Sequence, residues 1–284
     1  MLFELAIADA YSWQWNNHSK EFIQDHNDLS SYSTNTDDEI IPGYYTGITQ
    51  LNIAIVKMVV LGHPWVKEFV ANSFVVMFKR DPRRGYPEKL KRLLSQVANG
   101  DQLINQIDPY TREGNCTIRA TPLGILSTPL EVIKATITQT AITNNNPDDF
   151  YGSIAISLMS HYFIYRLGKK ALLKDFLDIY LPTEWLQKEQ KHLTNSSLIT
   201  SSLAIDAVLN HHSLSELLQS CIETMDNIHS NNINYVSAIA VAAASCSNEY
   251  EQDLPPSLVD NLETTRYGKN YLIELDRQLM TSSS

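Results

Sequence analysis

The chain has 284 residues, 43% of them apolar, enough to fill the core of one large domain or two small ones. A formal charge of -10 and a pI near 5.2 exclude sequence-independent attraction to nucleic acid or to an anionic membrane surface. Cys116, Cys221 and Cys246 lie in neither a disulfide framework nor zinc-ligand spacing, and read as small buried hydrophobes of a reducing compartment. No basic segment precedes an apolar run at the N-terminus, and no stretch reaches the roughly 18 apolar residues of a membrane span. The expectation is a soluble, cytoplasmic protein.

Met1 to Tyr11 reads as the start of a buried helix, and His26 to Gly43, rich in Asp, Ser, Asn and Thr, as an irregular loop. Thr49 to Leu61 (TQLNIAIVKMVVL) carries apolar residues at helical spacing and ends at His63-Pro64-Trp65, before a second helix from Val66 to Phe78. Arg80 to Tyr86 (RDPRRGY) is a polar break whose cations either attract an anionic partner or simply stay solvated. Pro87 suits the first turn of a helix running toward Asn99, Asp101 to Ile107 reads as a short helix, and Pro109 to Gly114 as loop. The helical pattern resumes from Pro129 to Ile142 and, after Asn144-Asn145-Asn146-Pro147, from Asp149 to Leu167 with Gly168 as C-cap. Later helices are expected over Lys170 to Tyr180, Thr183 to Lys191, Leu198 to Asn210, Ser213 to Asn227 and Tyr235 to Cys246, with Ser213 and Glu216 in a capping-box pattern. The adjacent pair His211-His212 points two ways on a helix and is read as a helix-end cap rather than a chelate. Alternating strand-length runs, a Gly-rich phosphate turn and nucleophile-base spacings are all missing. The fold expected is all-α, a single compact domain over residues 1–284.

Five segments in order carry a resemblance. Ala8-Asp9-Ala10-Tyr11-Ser12 is similar to an opening Gly-Asp-Ala-Tyr-Gly; Pro42 to Gln50 (PGYYTGITQ) to a Thr-Asp-Asp-Thr-Gln segment; Arg119 to Gly124 (RATPLG) to Met-Arg-Ala-x-Pro-x-Gly; Asn231 to Ala244 to Gly-Asp-x-Asp-Thr-Val-Ala with its Ala-rich helix; and Leu254 to Leu275 to a closing segment with Tyr-Gly and Tyr-Leu pairs. Together they resemble the ADP-ribosylglycohydrolase family, of the dinitrogenase-reductase-activating type, over nearly the whole chain. The resemblance implies an all-helical hydrolase that holds two magnesium ions and ADP-ribose between one helix start in the first half and another in the last quarter.

Hard divalent cations need anionic oxygen ligands. The positions that supply them in the family hold Gly47 and Ile48 at the first helix start, and Asn232 and Asn234 at the second, with Tyr235 in place of a threonine. Asn is nearly isosteric with Asp but brings no charge, so the magnesium pair is expected to be lost. Asn16, Asn115 and Asn144 depart from the family's glutamate, glycine and histidine in the same direction. Thr36-Asp37-Asp38-Glu39 mimics the metal segment, but the Tyr-Thr-x-x-Thr-Gln pattern sets the register at Thr46.

The candidate ligand cleft therefore comprises Asp9, Thr46, Thr49, Asn115, Arg119, Asn232, Asn234 and Tyr235, with no catalytic residue assigned. Asp9 either touches a ligand or makes buried structural hydrogen bonds. Arg119 either grips an anion or forms an internal salt bridge, and Trp13 and Trp15 either stack on a flat ligand or pack in the core. The function expected is a catalytically degenerate, metal-free binding, regulatory or accessory module with a protein partner, and with ADP-ribose or a nucleotide-like molecule as a candidate ligand. The alternative is an active hydrolase that removes ADP-ribose through a rearranged site using Asp9, Asp37 and Asp38.

Overall fold

The computed structural model describes residues 1–16, 18–33, 41–110, 116–182, 196–224 and 233–282. Among them every regular element is helical: α1 (Leu2–Trp13), α2 (Lys20–His26), α3 (Gly47–Val60), α4 (Lys67–Arg80), α5 (Glu88–Gln96), α6 (Gly100–Gln106), α7 (Pro129–Thr143), α8 (Pro147–Ile164), α9 (Leu173–Asp178), α10 (Ser196–Asn210), α11 (Leu214–Glu223), α12 (Ile233–Ala244), α13 (Pro256–Asn261) and α14 (Lys269–Thr281). Two 3₁₀ turns, Cys116–Arg119 and Thr121–Ile125, run between α6 and α7. No described helix is long and apolar enough to cross a membrane.

Helices that are apolar on every side end up surrounded by others. This holds for α1, where Leu2 and Leu5 to Ala8 are fully buried, for α3 from Ile48 to Val56, and for α12, where Val236 and Ala238 to Ala244 are buried. Their small residues let α1 lie close along α12, and a 2.6 Å contact between the hydroxyls of Ser12 and Ser237 ties the two. Around these three pack α4, α8, α10, α11 and α14.

Three local expectations need correction. The stretch read as loop from His26 begins after a helix, α2, that the sequence pattern does not announce, because Ile23 is the only buried residue on it. Ser19 caps it, and a parallel stack of His18, Phe22 and His26, with centroids 4.5 and 4.2 Å apart, runs along its outer face. Helix α8 stops at Ile164, before Gly168. Arg166 takes the left-handed position (φ 52°) and the Leu167 amide reaches back 3.0 Å to the Tyr162 carbonyl, a Schellman ending without glycine. Gly168 serves packing instead: a Cβ there would fall 2.3 Å from the Tyr162 hydroxyl. At α11 Ser213 caps the Glu216 amide at 3.1 Å, and the helix ends at Glu223, short of Asn227. The expected helix Thr183 to Lys191 lies outside the described residues.

The segment 81–87, between α4 and α5, is held by a buried ion pair. Arg83 donates to both oxygens of Glu263, reaches Asp81 at 2.7 Å, and lies flat on the Tyr45 ring with its guanidinium carbon 3.9 Å from the centroid. Tyr45 in turn donates to the Tyr267 carbonyl at 2.9 Å, so α3's approach segment, the segment 81–87 and the α13–α14 connection form one knot. Removing one partner of a buried ion pair leaves the other uncompensated, at a cost of about 3–5 kcal/mol. Arg83→Ala, which strands the fully buried Glu263 side chain, is therefore expected to lose stability of that order in urea unfolding, whereas a loss under about 1 kcal/mol would place this pair among weak surface bridges.

Candidate functional site

The expected cleft centres on the start of α3, and Asp9 of α1 is fully buried there. Its carboxylate accepts from the Thr46 amide (2.8 Å), the Thr46 hydroxyl (2.8 Å), the Thr49 amide (3.3 Å) and the Thr49 hydroxyl (2.7 Å). The remaining amides of that turn are also occupied. Gly47 N–H donates to the Arg84 carbonyl at 2.7 Å, Ile48 N–H to the Thr46 hydroxyl at 3.2 Å, and Gln50 N–H to the Thr46 carbonyl at 3.3 Å. A helix N-terminus attracts anions because its first amides lack partners. Here each of them has a partner within the chain, and the anion is Asp9.

Gly47 lies beneath a ring. A Cβ added at Gly47 would fall 2.2 Å from Tyr86 Cδ2 and 2.4 Å from Cε2, distances no real Cβ tolerates. Tyr86 is buried, donates to Gln50 Oε1 at 2.6 Å, and burial raises its pKa well above the ordinary tyrosine value, so it stays a neutral donor. Gln50 also donates to the Asp81 carbonyl, gripping the segment 81–87 at its other end. Ile48 and Tyr235 are the bulky residues at the family's ligand positions. Both are buried, Ile48 completely, but the ring over Gly47 belongs to Tyr86, a residue the sequence reading treated only as the end of a polar break.

Arg119 lies on a 3₁₀ turn and is buried. Its guanidinium donates to Gln139 Oε1 (2.6 Å), the Gln139 carbonyl (3.1 Å) and the Thr143 hydroxyl (2.6 Å), and sits 4.9 Å from the centre of Phe74. The expected internal salt bridge is thus replaced by neutral acceptors, and burial lowers the arginine pKa to about 10. The nearest carboxylate along the hydrogen-bond chain is Asp149, reached from Thr143 through Asn144 in steps of 2.6 and 3.1 Å. Asn144, expected at a lost histidine position, is therefore a link in a buried hydrogen-bond chain from Arg119 to Asp149.

Asn234, on the first turn of α12, is buried, and among the described residues neither its amide nitrogen nor its carbonyl has a hydrogen-bond partner. α1 joins the two helix starts, since Asp9 holds α3 and Ser12, one turn later on the same face, holds α12 through Ser237. Asn115, Asn232 and the acids Asp37 and Asp38 lie outside the described residues. Trp15 packs edge-on against Tyr11 at 5.9 Å and is buried, while Trp13 touches the segment 81–87, 3.1 Å from a Cβ built on Gly85. Arg83 is buried in its ion pair and Arg80 is stacked on Tyr267 at 3.9 Å, so neither is a solvated connection or an anion lure.

Burial raises the Asp9 pKa above its ordinary 3.8, and the Thr49 and Thr46 donors only partly offset this. A raised carboxylate stabilises the fold fully below its unfolded value, and that contribution is lost as pH rises through the folded value. Asp9→Asn keeps the shape and the acceptor for both amides, with its own amide nitrogen able to donate to the second lone pair of Thr46 Oγ1, and should cost about 1 kcal/mol or less. Asp9→Ala strands two amides and two hydroxyls and should cost about 3 kcal/mol. Urea titrations from about pH 4 to about pH 7 should show the wild type losing stability relative to Asp9→Asn as pH rises; a relative gain would contradict the assignment.

The model of the ADP-ribosylglycohydrolase family matches residues 1–266. Among solved structures, an "ADP-ribosylglycohydrolase-related protein complex" superposes with a TM-score of 0.73 at 11% identity, covering 100% of this chain and 96% of that one. No curated protein matches the chain. With the family model spanning all but the C-terminal residues and the helical architecture shared end to end, the chain belongs to the ADP-ribosylglycohydrolase family.

Proposed function

We propose that this protein is a catalytically silent member of its family, a metal-free binding, regulatory or accessory module of the cytoplasm. The observation that carries the reading is the internal saturation of the α3 start. Asp9 takes two amides and two hydroxyls, the Arg84 carbonyl takes the Gly47 amide, and the Tyr86 ring fills the space over Gly47.

The family's magnesium pair does not fit the residues present. Magnesium demands octahedral oxygen ligands, and two such ions need several carboxylates to balance their charge. Among the described residues Asp9 is the carboxylate bonded at the α3 start, and its oxygens already accept from the Thr46 and Thr49 donors. Gly47 and Ile48 offer no side-chain oxygen, and Asn234 offers a neutral amide. Among the described residues no group of three or more His, Cys, Asp or Glu is placed to hold a metal.

A protein partner is the better occupant of the surface. The superposable structure is described as a complex, and an accessory role for this chain agrees with that. The unpartnered amide of Asn234 supports a second, narrower reading in which a polar group of a nucleotide-like ligand meets the α12 start.

The test is thermal. Magnesium and ADP-ribose at millimolar concentration, alone and together, are expected to leave the melting temperature unchanged, because a ligand that binds only the native state must raise it. A rise of several degrees that needs magnesium, or release of ADP-ribose from a modified protein that disappears in Asp9→Ala, would establish the hydrolase alternative.

A further inference from the structure

We propose that the segment 81–87 is a built-in stopper: Tyr86 and the Arg84 carbonyl permanently occupy the space in front of the α3 N-terminus, so restoring carboxylates there would not reopen it. The proposal rests on the reading that the ligand positions at Gly47 and Ile48 are vestigial, and it adds what stands in their place.

Two glycines fit the segment to the helix from opposite sides. Gly47 leaves room for the Tyr86 ring, which would otherwise lie 2.2 to 2.8 Å from a Cβ. Gly85, at φ +79°, presses its backbone onto Thr46, where a Cβ would fall 2.6 Å from Thr46 Cβ. An aspartate at 47 begins with that same Cβ, so it and Tyr86 cannot share the site whatever metal is offered. The ring has little freedom to swing aside. Its hydroxyl is fixed on Gln50 at 2.6 Å, and its edge stands against Phe78 with centroids 5.3 Å apart at 86°.

Lids are drawn from weakly held segments with exposed hydrogen bonds. This one is pinned just before Tyr86 by two buried contacts: Arg83 to Glu263, and the Arg84 carbonyl to the Gly47 amide. Opening would strand Glu263, a charged group with no exposure of its side chain, and an α3 amide. The contact is therefore a fixed closure built into the fold.

A double-mutant cycle between Gly47→Ala and Tyr86→Ala tests it. At the first position of a helix, alanine is normally favoured over glycine. With Tyr86 present, the added methyl overpacks a filled site and is expected to raise the unfolding equilibrium constant about thirtyfold in urea. With Tyr86→Ala, the same methyl is expected to be neutral or stabilising. An equal penalty in both backgrounds overturns the stopper.

Hydrogen exchange on the unsubstituted chain gives a second readout that needs no variant to fold. The Gly47 amide is expected to exchange within about tenfold of the slowest amides in the protein; exchange about a thousandfold faster would make the segment a lid and overturn the proposal. Magnesium separates the two claims. An uncoupled cycle with no magnesium response removes the stopper and leaves the metal-free reading standing. A magnesium response with a coupled cycle does the reverse.

Discussion

A carboxylate buried at the first turn of α3 organises the whole neighbourhood. Burial penalises its charge, and only donors aimed at it make that charge tenable. Asp9 finds them in the Thr46 and Thr49 amides and hydroxyls, which fixes α3 against α1 in one register. Once those donors are spent, the helix start needs one more acceptor, for Gly47, and the Arg84 carbonyl supplies it. That bond draws the segment 81–87 inward, and Arg83, Tyr45 and Glu263 then hold it from the far side. Helix N-terminus, segment and C-terminal connection thus form one satisfied polar network rather than three separate contacts.

The scaffold and the site were legible to different depths. Runs such as TQLNIAIVKMVVL and the Ala-rich stretch after Val236 fix buried helices because their apolar residues leave no polar face, and the structure buries Thr49 to Val56 and Val236 to Ala244. Thr46 was legible as a helix start, and it is the N-cap of α3. Helix α2 escaped because one buried isoleucine makes no period. At the site, the resemblance implied Gly47 and Ile48 where the family has acids, but the ring that lies over Gly47 could not be read from the motif. Tyr86 stands 39 positions from Gly47 in the chain, and no local pattern signals a ring resting on a glycine. Arg119 illustrates the same limit. Its cage comes from Gln139 and Thr143 on a separate helix, whereas the sequence offered an anion grip or an internal salt bridge.

The two helix starts now differ in kind. That of α3 is closed, with every amide of its first turn paired and a ring over its glycine. At α12, Asn234 carries a buried amide with no partner among the described residues, a cost of about 1–3 kcal/mol per group. Fold and chemistry separate cleanly on this account. The family's helical frame persists at 11% identity to a solved relative, because apolar pattern and caps suffice to specify it, whereas a dinuclear metal site depends on a few charged atoms.

The most direct test of the metal-free account is anomalous scattering from crystals grown with manganese in place of magnesium. The account predicts no ordered ion between the start of α3 at Thr46 and the start of α12 at Asn234. Two anomalous peaks there, bound by oxygens of this chain, would contradict it.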